Sequence, residues 1–285
     1  MKLPKLTITG IAACLAACSP LDVLNVASRS ANYRIAEDVA YGELPRQSLD
    51  LYAPSKANPD GCRIVFVYGG NWRQGDKRDY GFVGAAFAKR GHEVVIPDYR
   101  LYPDVTFPDF VHDIALSIRW YQQRDDKRPL ILMGHSAGGL IAALLSYDAT
   151  YLNAQGETPE HITALVTLAG PHDYFLPTDD PRWSAIFGKD SERQVRALPV
   201  RHVTAKAPKT LILHGAEDDL VTPRSARSLA RALEAHGVHH KVQVYPDIGH
   251  RRLVASVAPP LQFLAPTFDD VLQFIAEDIC HPSED

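Results

Sequence analysis

Leu130 to Met133 is an unbroken apolar run that ends in Gly134-His135-Ser136-Ala137-Gly138, and a second apolar segment, Leu140 to Leu145, leaves it. The first run reads as a buried strand and the second as a helix. Glycines at 134 and 138 allow a turn between them that is too sharp for side chains. Such a turn lifts the Ser136 hydroxyl above the sheet, and the following helix aims its free N–H groups at the same point.

This arrangement needs a sheet buried on both faces, and the rest of the chain has the segments for one. Apolar, β-branched runs occur at Tyr33 to Tyr41, Leu49 to Ala53, Arg63 to Tyr68, Glu93 to Pro97, Ala164 to Leu168, Thr210 to Leu213 and Lys241 to Tyr245. Helical patterns fall between or after them at Tyr80 to Arg90, Val111 to Gln122, Ser225 to Ala235 and Phe268 to Cys280. Continuous apolar strands alternating with helices predict an α/β fold with a mostly parallel central sheet and helices on both faces. The first two strands, separated by Gly42 and Pro45, read as a hairpin. Residues 33–285 are thus expected to form one domain, with a short cap-like insertion around 171–208 where no strand is found.

Charge narrows the function classes. Lysine plus arginine number 30 against 34 acidic residues, with no basic stripe of the kind that nucleic-acid binding requires. No apolar stretch reaches the roughly 18 residues of a membrane-spanning helix.

A serine hydroxyl becomes a nucleophile when a base lies within hydrogen-bond reach and a third group orients that base. Downstream of Ser136 the chain offers His214-Gly215-Ala216-Glu217-Asp218-Asp219 after one strand and Tyr245-Pro246-Asp247-Ile248-Gly249-His250 after the next. Both lie past the C-terminal ends of strands, where an open parallel sheet places its ligands. His250 is the expected base, and Asp218 and Asp219 are adjacent candidates for the acid. Oxyanion donors are expected from Tyr68-Gly69-Gly70-Asn71-Trp72, where glycines bring backbone N–H groups close to a substrate, together with the N–H of Ala137. His236, His239 and His240 cluster, but without the spacing of a metal site, so neither metal nor cofactor is expected.

The N-terminus stands apart from the fold. Lys2 and Lys5 precede the mostly apolar run Leu6 to Ala17, and Leu15-Ala16-Ala17-Cys18 follows. This resembles a bacterial lipoprotein signal, with residues 1–17 removed and Cys18 lipidated as the mature N-terminus. Ser19 after the cysteine implies the outer membrane, and the other export reading is a plain secretory signal. Residues 18–32 read as a tether. In an oxidising compartment Cys62 and Cys280 could form one disulfide or remain two buried thiols.

Taken together, the marks resemble those of the α/β-hydrolase fold, and within it bacterial carboxylesterases of the feruloyl-esterase-like and kynurenine-formamidase-like group. Those marks are Tyr68-Gly69-Gly70-Asn71-Trp72, Gly75-Asp76-Lys77, Asp98-Tyr99-Arg100-Leu101-Tyr102-Pro103, the pentapeptide around Ser136, H-G-x-x-D and the final Gly249-His250. The resemblance runs from about Leu49 to the C-terminus. It implies Ser136, Asp218 and His250 as a triad, since the acid stands four residues after the histidine of H-G-x-x-D. It also implies Gly70, Asn71 and Ala137 as oxyanion donors, and Asp98, Tyr99 and Arg100 as scaffold. Tyr68 departs from the histidine usual at that position, so the hydrogen bond that orders this loop is lost or replaced. The implied activity is hydrolysis of small to medium carboxylic esters through an acyl-enzyme. An amidase or peptidase, or a non-catalytic binding protein on the same fold, are the alternatives. Trp183, Ile186 and Phe187 suggest an apolar wall near Ser136 and a preference for short acyl groups.

Overall fold

A computed structural model describes residues 20–280 apart from 57, 59, 125 and 174–180. Its centre is an eight-stranded sheet ordered β1-β2-β4-β3-β5-β6-β7-β8. The strands are β1 Tyr33–Ala40, β2 Ser48–Pro54, β3 Arg63–Val67, β4 Glu93–Pro97, β5 Leu130–His135, β6 Ala164–Leu168, β7 Lys209–Gly215 and β8 His240–Tyr245. Each coincides, within a residue or two, with an apolar run read from the sequence. β1 and β2 form the expected antiparallel hairpin, and β2 is antiparallel to β4. From β4 to β8 every pairing is parallel.

Successive side chains of a strand point to opposite faces, and every residue of β3, β4, β5 and β6 is buried. Both faces of the sheet are therefore covered. The covering helices include Gly81–Ala88, Asp109–Gln122, Ala137–Tyr147, Arg224–Ala235 and Thr267–Phe274. The last continues as a π-helical segment, Ile275–Cys280.

The sheet order positions the site. After β3 the chain moves to one side to make β4, then returns to the other side to make β5. This reversal opens a crevice at the C-terminal ends of β3 and β5, the usual ligand position in an open parallel sheet.

One stretch differs from the expectations drawn from sequence. Residues assigned to the tether contain a helix, Pro20–Ser28, in which Leu21 and Leu24 lie against the core and Ser28 is buried. Leu21, Leu24 and Ser28 share one helical face at three- and four-residue spacing, a pattern too short to stand out beside the preceding apolar run. Asn25 ties the helix down by accepting the Phe82 N–H at 2.8 Å. The insertion is locally helical, with Pro181–Phe187, Ser191–Arg196 and a 3₁₀ turn at Pro199–Arg201. Cys18 and residues 1–17 lie outside the described residues, as does most of the stretch before Trp183. Among the described residues, no helix is long and apolar enough to cross a membrane.

Candidate active site

Ser136 sits between β5 and the helix Ala137–Tyr147 with φ 55° and ψ −123°. A non-glycine residue holds such a conformation only when its surroundings fix it. Its N–H donates to the Leu168 carbonyl at 2.9 Å, and its carbonyl accepts from Gly139 at 2.8 Å. A Cβ on Gly138 would collide with the Val67 carbonyl oxygen, and one on Gly134 with the Gly138 carbonyl. The two glycines therefore let the turn close against β3.

β7 and β8 carry the other side chains. Asp218 follows β7, and His250 opens the helix His250–Ala255 after β8. His250 Nδ1 lies 2.7 Å from Asp218 Oδ2, and the Asp218 side chain is wholly buried. The other carboxylate oxygen accepts the Leu220 and Val221 N–H groups at 3.0 and 2.9 Å. His214 Nε2 lies 2.6 Å from the Val221 carbonyl and 3.3 Å from Asp218 Oδ2. Burial alone would raise the Asp218 carboxyl, but hydrogen bonds from His214, His250 and Val221 hold it well below the ordinary carboxylate range. Asp219 instead lines the mouth of the cavity.

Ser136 and His250 line one cavity of about 350 Å³ together with Asn71, Ala137, Trp72 and Trp183. The two side chains share this cavity without a direct hydrogen bond, and such contacts commonly tighten only when a ligand draws the groups together. Among the described residues, neither the Asn71 nor the Ala137 N–H donates to another protein group. The Gly70 carbonyl accepts from Arg73 and Gln74 at 3.0 and 3.1 Å, forming the tight turn that carries Asn71. A Cβ on Gly69 would press on the Ser136 Cβ, so this loop lies directly against Ser136.

The loop is held from behind by a buried network. The Tyr68 hydroxyl donates to Asp98 Oδ1 at 2.6 Å and accepts from Arg46 Nη2 at 2.8 Å. Arg46 also donates to the Gly75 and Tyr99 carbonyls at 2.6 and 2.8 Å, and Tyr99 donates to the Tyr68 carbonyl at 2.9 Å. The Lys77 N–H reaches Asp98 Oδ1 at 3.1 Å, while the buried Lys77 ammonium bridges Asp50 and Asp38 at 2.6 and 2.7 Å. The Tyr68 hydroxyl thus anchors this loop. Asp98 and Tyr99 are scaffold in the literal sense, and Arg100 forms an ion pair with buried Asp113 at 2.8 Å.

Three contributors have no role that residue order alone announces. Arg46 lies in the β1–β2 turn, far from any motif. His214 is visible in sequence only as the first letter of H-G-x-x-D. His135 is buried beneath His250, with Nε2 3.3 Å from the His250 carbonyl. Burial, reinforced by His250 beside it, pushes His135 down to about 3, so it is neutral at physiological pH. His236, His239 and His240 do not converge: they engage the Ala232 carbonyl, Asp278 and the Val238 carbonyl respectively.

An eight-stranded, mostly parallel sheet with a strained serine after β5, an acid after β7 and a histidine after β8 defines an α/β-hydrolase fold with a serine-type site. The BD-FAE family profile matches residues 49–233, and the chain belongs to that family. The match includes Ser136 and Asp218 and stops short of His250. Isoprenylcysteine alpha-carbonyl methylesterase ICME of Arabidopsis thaliana is 29% identical over 273 residues, covering 86% of this chain and 63% of that protein. Esterase LipC of Mycobacterium tuberculosis is 30% identical over 236 residues, covering 73% of this chain and 57% of that protein. The chain spans 56–63% of the length of these and related curated proteins. In three dimensions it is similar to a truncated carbohydrate esterase from gut microbiota, with a TM-score of 0.73 at 20% identity, covering 87% of this chain and 97% of that one.

Proposed function

We propose that this chain is a serine carboxylic ester hydrolase acting through an acyl-enzyme on small to medium esters. The observation that carries the proposal is the 2.7 Å contact between the fully buried Asp218 and Nδ1 of His250, which lines the same cavity as Ser136. The carboxylate holds Nδ1 protonated and leaves Nε2 free to take the Ser136 proton as Oγ attacks the ester carbonyl. The N–H groups of Gly70, Asn71 and Ala137 stabilise the oxyanion. His250 then protonates the leaving alcohol, and water repeats the cycle to release the acid.

A short acyl preference follows from the walls. Trp72 packs edge-on against Trp183 and Phe187 at 5.6 and 4.9 Å, which makes a preformed apolar wall. Four-carbon p-nitrophenyl esters are expected to be cleaved with higher kcat/KM than twelve-carbon ones. Ser136→Ala should lower kcat on the order of 10⁶-fold, as nucleophile removal does in a serine protease. No hydrolysis across an ester panel, or turnover that survives Ser136→Ala, would overturn the proposal.

We also propose that the protein is exported and anchored to the outer membrane through a lipidated Cys18, with a plain secretory signal as the other export route. The support is Lys2, Lys5, the apolar run Leu6 to Ala17 and the small residues before Cys18. Cys18→Ser should move the protein from the membrane pellet to the soluble fraction. A wild type already soluble in a bacterial host would refute the anchor.

A further inference from the structure

Cys62 is fully buried immediately before β3, at the end of the sheet away from the catalytic cavity. Its backbone is fixed on both sides: the N–H donates to His92 Nδ1 at 3.1 Å, and the carbonyl accepts the Glu93 N–H at 3.0 Å. Cys280 is the last residue of the segment Ile275–Cys280 and is half-buried. Its Sγ lies 3.1 Å from Cys62 Sγ and 3.2 Å from the Asp60 carbonyl. Packing brings the segment here without any covalent link, because Ile275 and Ile279 are buried and Lys209 Nζ donates to the Asp278 carbonyl at 2.7 Å.

We propose that Cys62 and Cys280 form a disulfide that staples the C-terminal helical segment to the start of β3. The thiols already meet across 218 residues of sequence, and the S–S bond of about 2.05 Å needs only a side-chain adjustment from that contact. The oxidant required is a disulfide-bearing one, either a low-molecular-weight disulfide or an oxidoreductase. The Cys280 thiolate, the more accessible of the two, attacks the oxidant, breaking its S–S bond and forming a mixed disulfide. Cys62 then loses its proton and attacks Cys280 Sγ, releasing the second oxidant sulfur as a thiol. Two electrons and two protons pass from the cysteine pair to the oxidant. Burial, with the Cys280 thiol beside it, pushes the Cys62 thiol up, which favours this order of attack.

The bond would close a very long loop and so restrict the unfolded chain strongly. It lies at the opposite end of β3 from the oxyanion loop, about 17 Å away for a five-residue strand, so turnover should not depend on it. The test incubates the full folded chain with oxidised glutathione, then alkylates it in denaturant and maps the peptides. The expected result is a linked Cys62–Cys280 peptide lighter by two hydrogens, with no glutathione retained on either. The oxidised protein should melt about 5–10 °C above the dithiothreitol-treated one. In Cys280→Ala the two treatments should give the same melting temperature, with ester turnover unchanged. Full alkylation of both residues after oxidation would overturn the proposal. So would stable glutathione adducts on them, or a redox-dependent melting shift that persists in Cys280→Ala.

Discussion

On one side of Ser136, the end of β7 and the segments after β7 and β8 present side chains: a buried carboxylate, its histidine and a second histidine behind the acid. On the other side, the loop after β3 brings its glycine backbone against Ser136, and the side chains that hold it lie behind it as the Arg46, Tyr68 and Asp98 network. The first half acts through the identity of its residues. The second acts through position, since any residue has an N–H and what counts is where it is held. Damage to the two halves should therefore look different in kinetics.

The largest effect is expected from the side-chain half. Asp218→Asn leaves the shape intact but removes the acceptor that fixes the His250 tautomer, and the equivalent change in a serine protease triad costs about 10⁴ in kcat. The variant should stay folded, with near-normal KM. Kinetics on a four-carbon ester alongside a melting curve would check it. Retained turnover would move the acid role elsewhere.

Breaking the backbone half should cost less in turnover and more in stability. Tyr68→Phe removes a hydroxyl that both donates to Asp98 and accepts from Arg46, and Arg46→Gln removes the tie to the Gly75 carbonyl. Loss of one oxyanion donor costs about 10²–10³ in kcat, so loosening the loop should fall at or below that range. A buried hydrogen bond left unmade adds roughly 1–3 kcal/mol of destabilisation. Tyr68→His, which returns a polar ring to this position, should recover part of the turnover lost in Tyr68→Phe. A Tyr68→Phe variant with wild-type kcat and melting temperature would mean that this network does not hold the loop.

These halves also differ in how plainly the sequence announces them. Gly134 to Gly138 and the apolar runs of β3 to β8 are legible because strand burial and a glycine-bounded turn leave direct marks in residue order. Residue order narrows the acid to Asp218 and Asp219, and the fold resolves the pair by burying one and leaving the other at the cavity mouth. Arg46 is invisible there, since its role exists only once the β1–β2 hairpin is laid beside β4 and brings it to Asp98. Tyr68 stands out as a departure, and only the surrounding network shows that its phenol takes over an anchoring role. The helix Pro20–Ser28 escapes notice because it is short and follows an apolar leader that dominates any local pattern.

Acid pH separates folding from the Asp218 carboxylate. Burial, first in each case, pushes His135 and His172 down to about 3 and His92 down to about 4, from an ordinary 6.5. Each stays neutral when folded but takes up a proton when unfolded, so its stability contribution is complete above pH 6.5 and is lost as pH falls toward the folded value. The loss is about 1.4 kcal/mol per pH unit for each proton. Asp218, held below its ordinary range, keeps its charge through this window. The melting temperature should therefore fall between pH 6.5 and 4, and less steeply in His172→Gln. A flat profile would contradict the burial of neutral histidines.

The smallest effect is expected from Asp219→Asn. This residue lines the cavity mouth and makes no bond to His250, so turnover should stay within about tenfold of wild type, a 1.4 kcal/mol effect. A larger loss would place Asp219 in the substrate contacts.

The most direct test of one reaction centre shared by both halves is covalent labelling of Ser136. The protein is treated with a fluorophosphonate, turnover is followed, and the adduct is located by peptide mass spectrometry. A single adduct on the peptide carrying Ser136, formed in proportion to lost turnover and much more slowly in Asp218→Asn, is the predicted result. An adduct on another residue, or undiminished ester turnover once Ser136 is fully labelled, would contradict it.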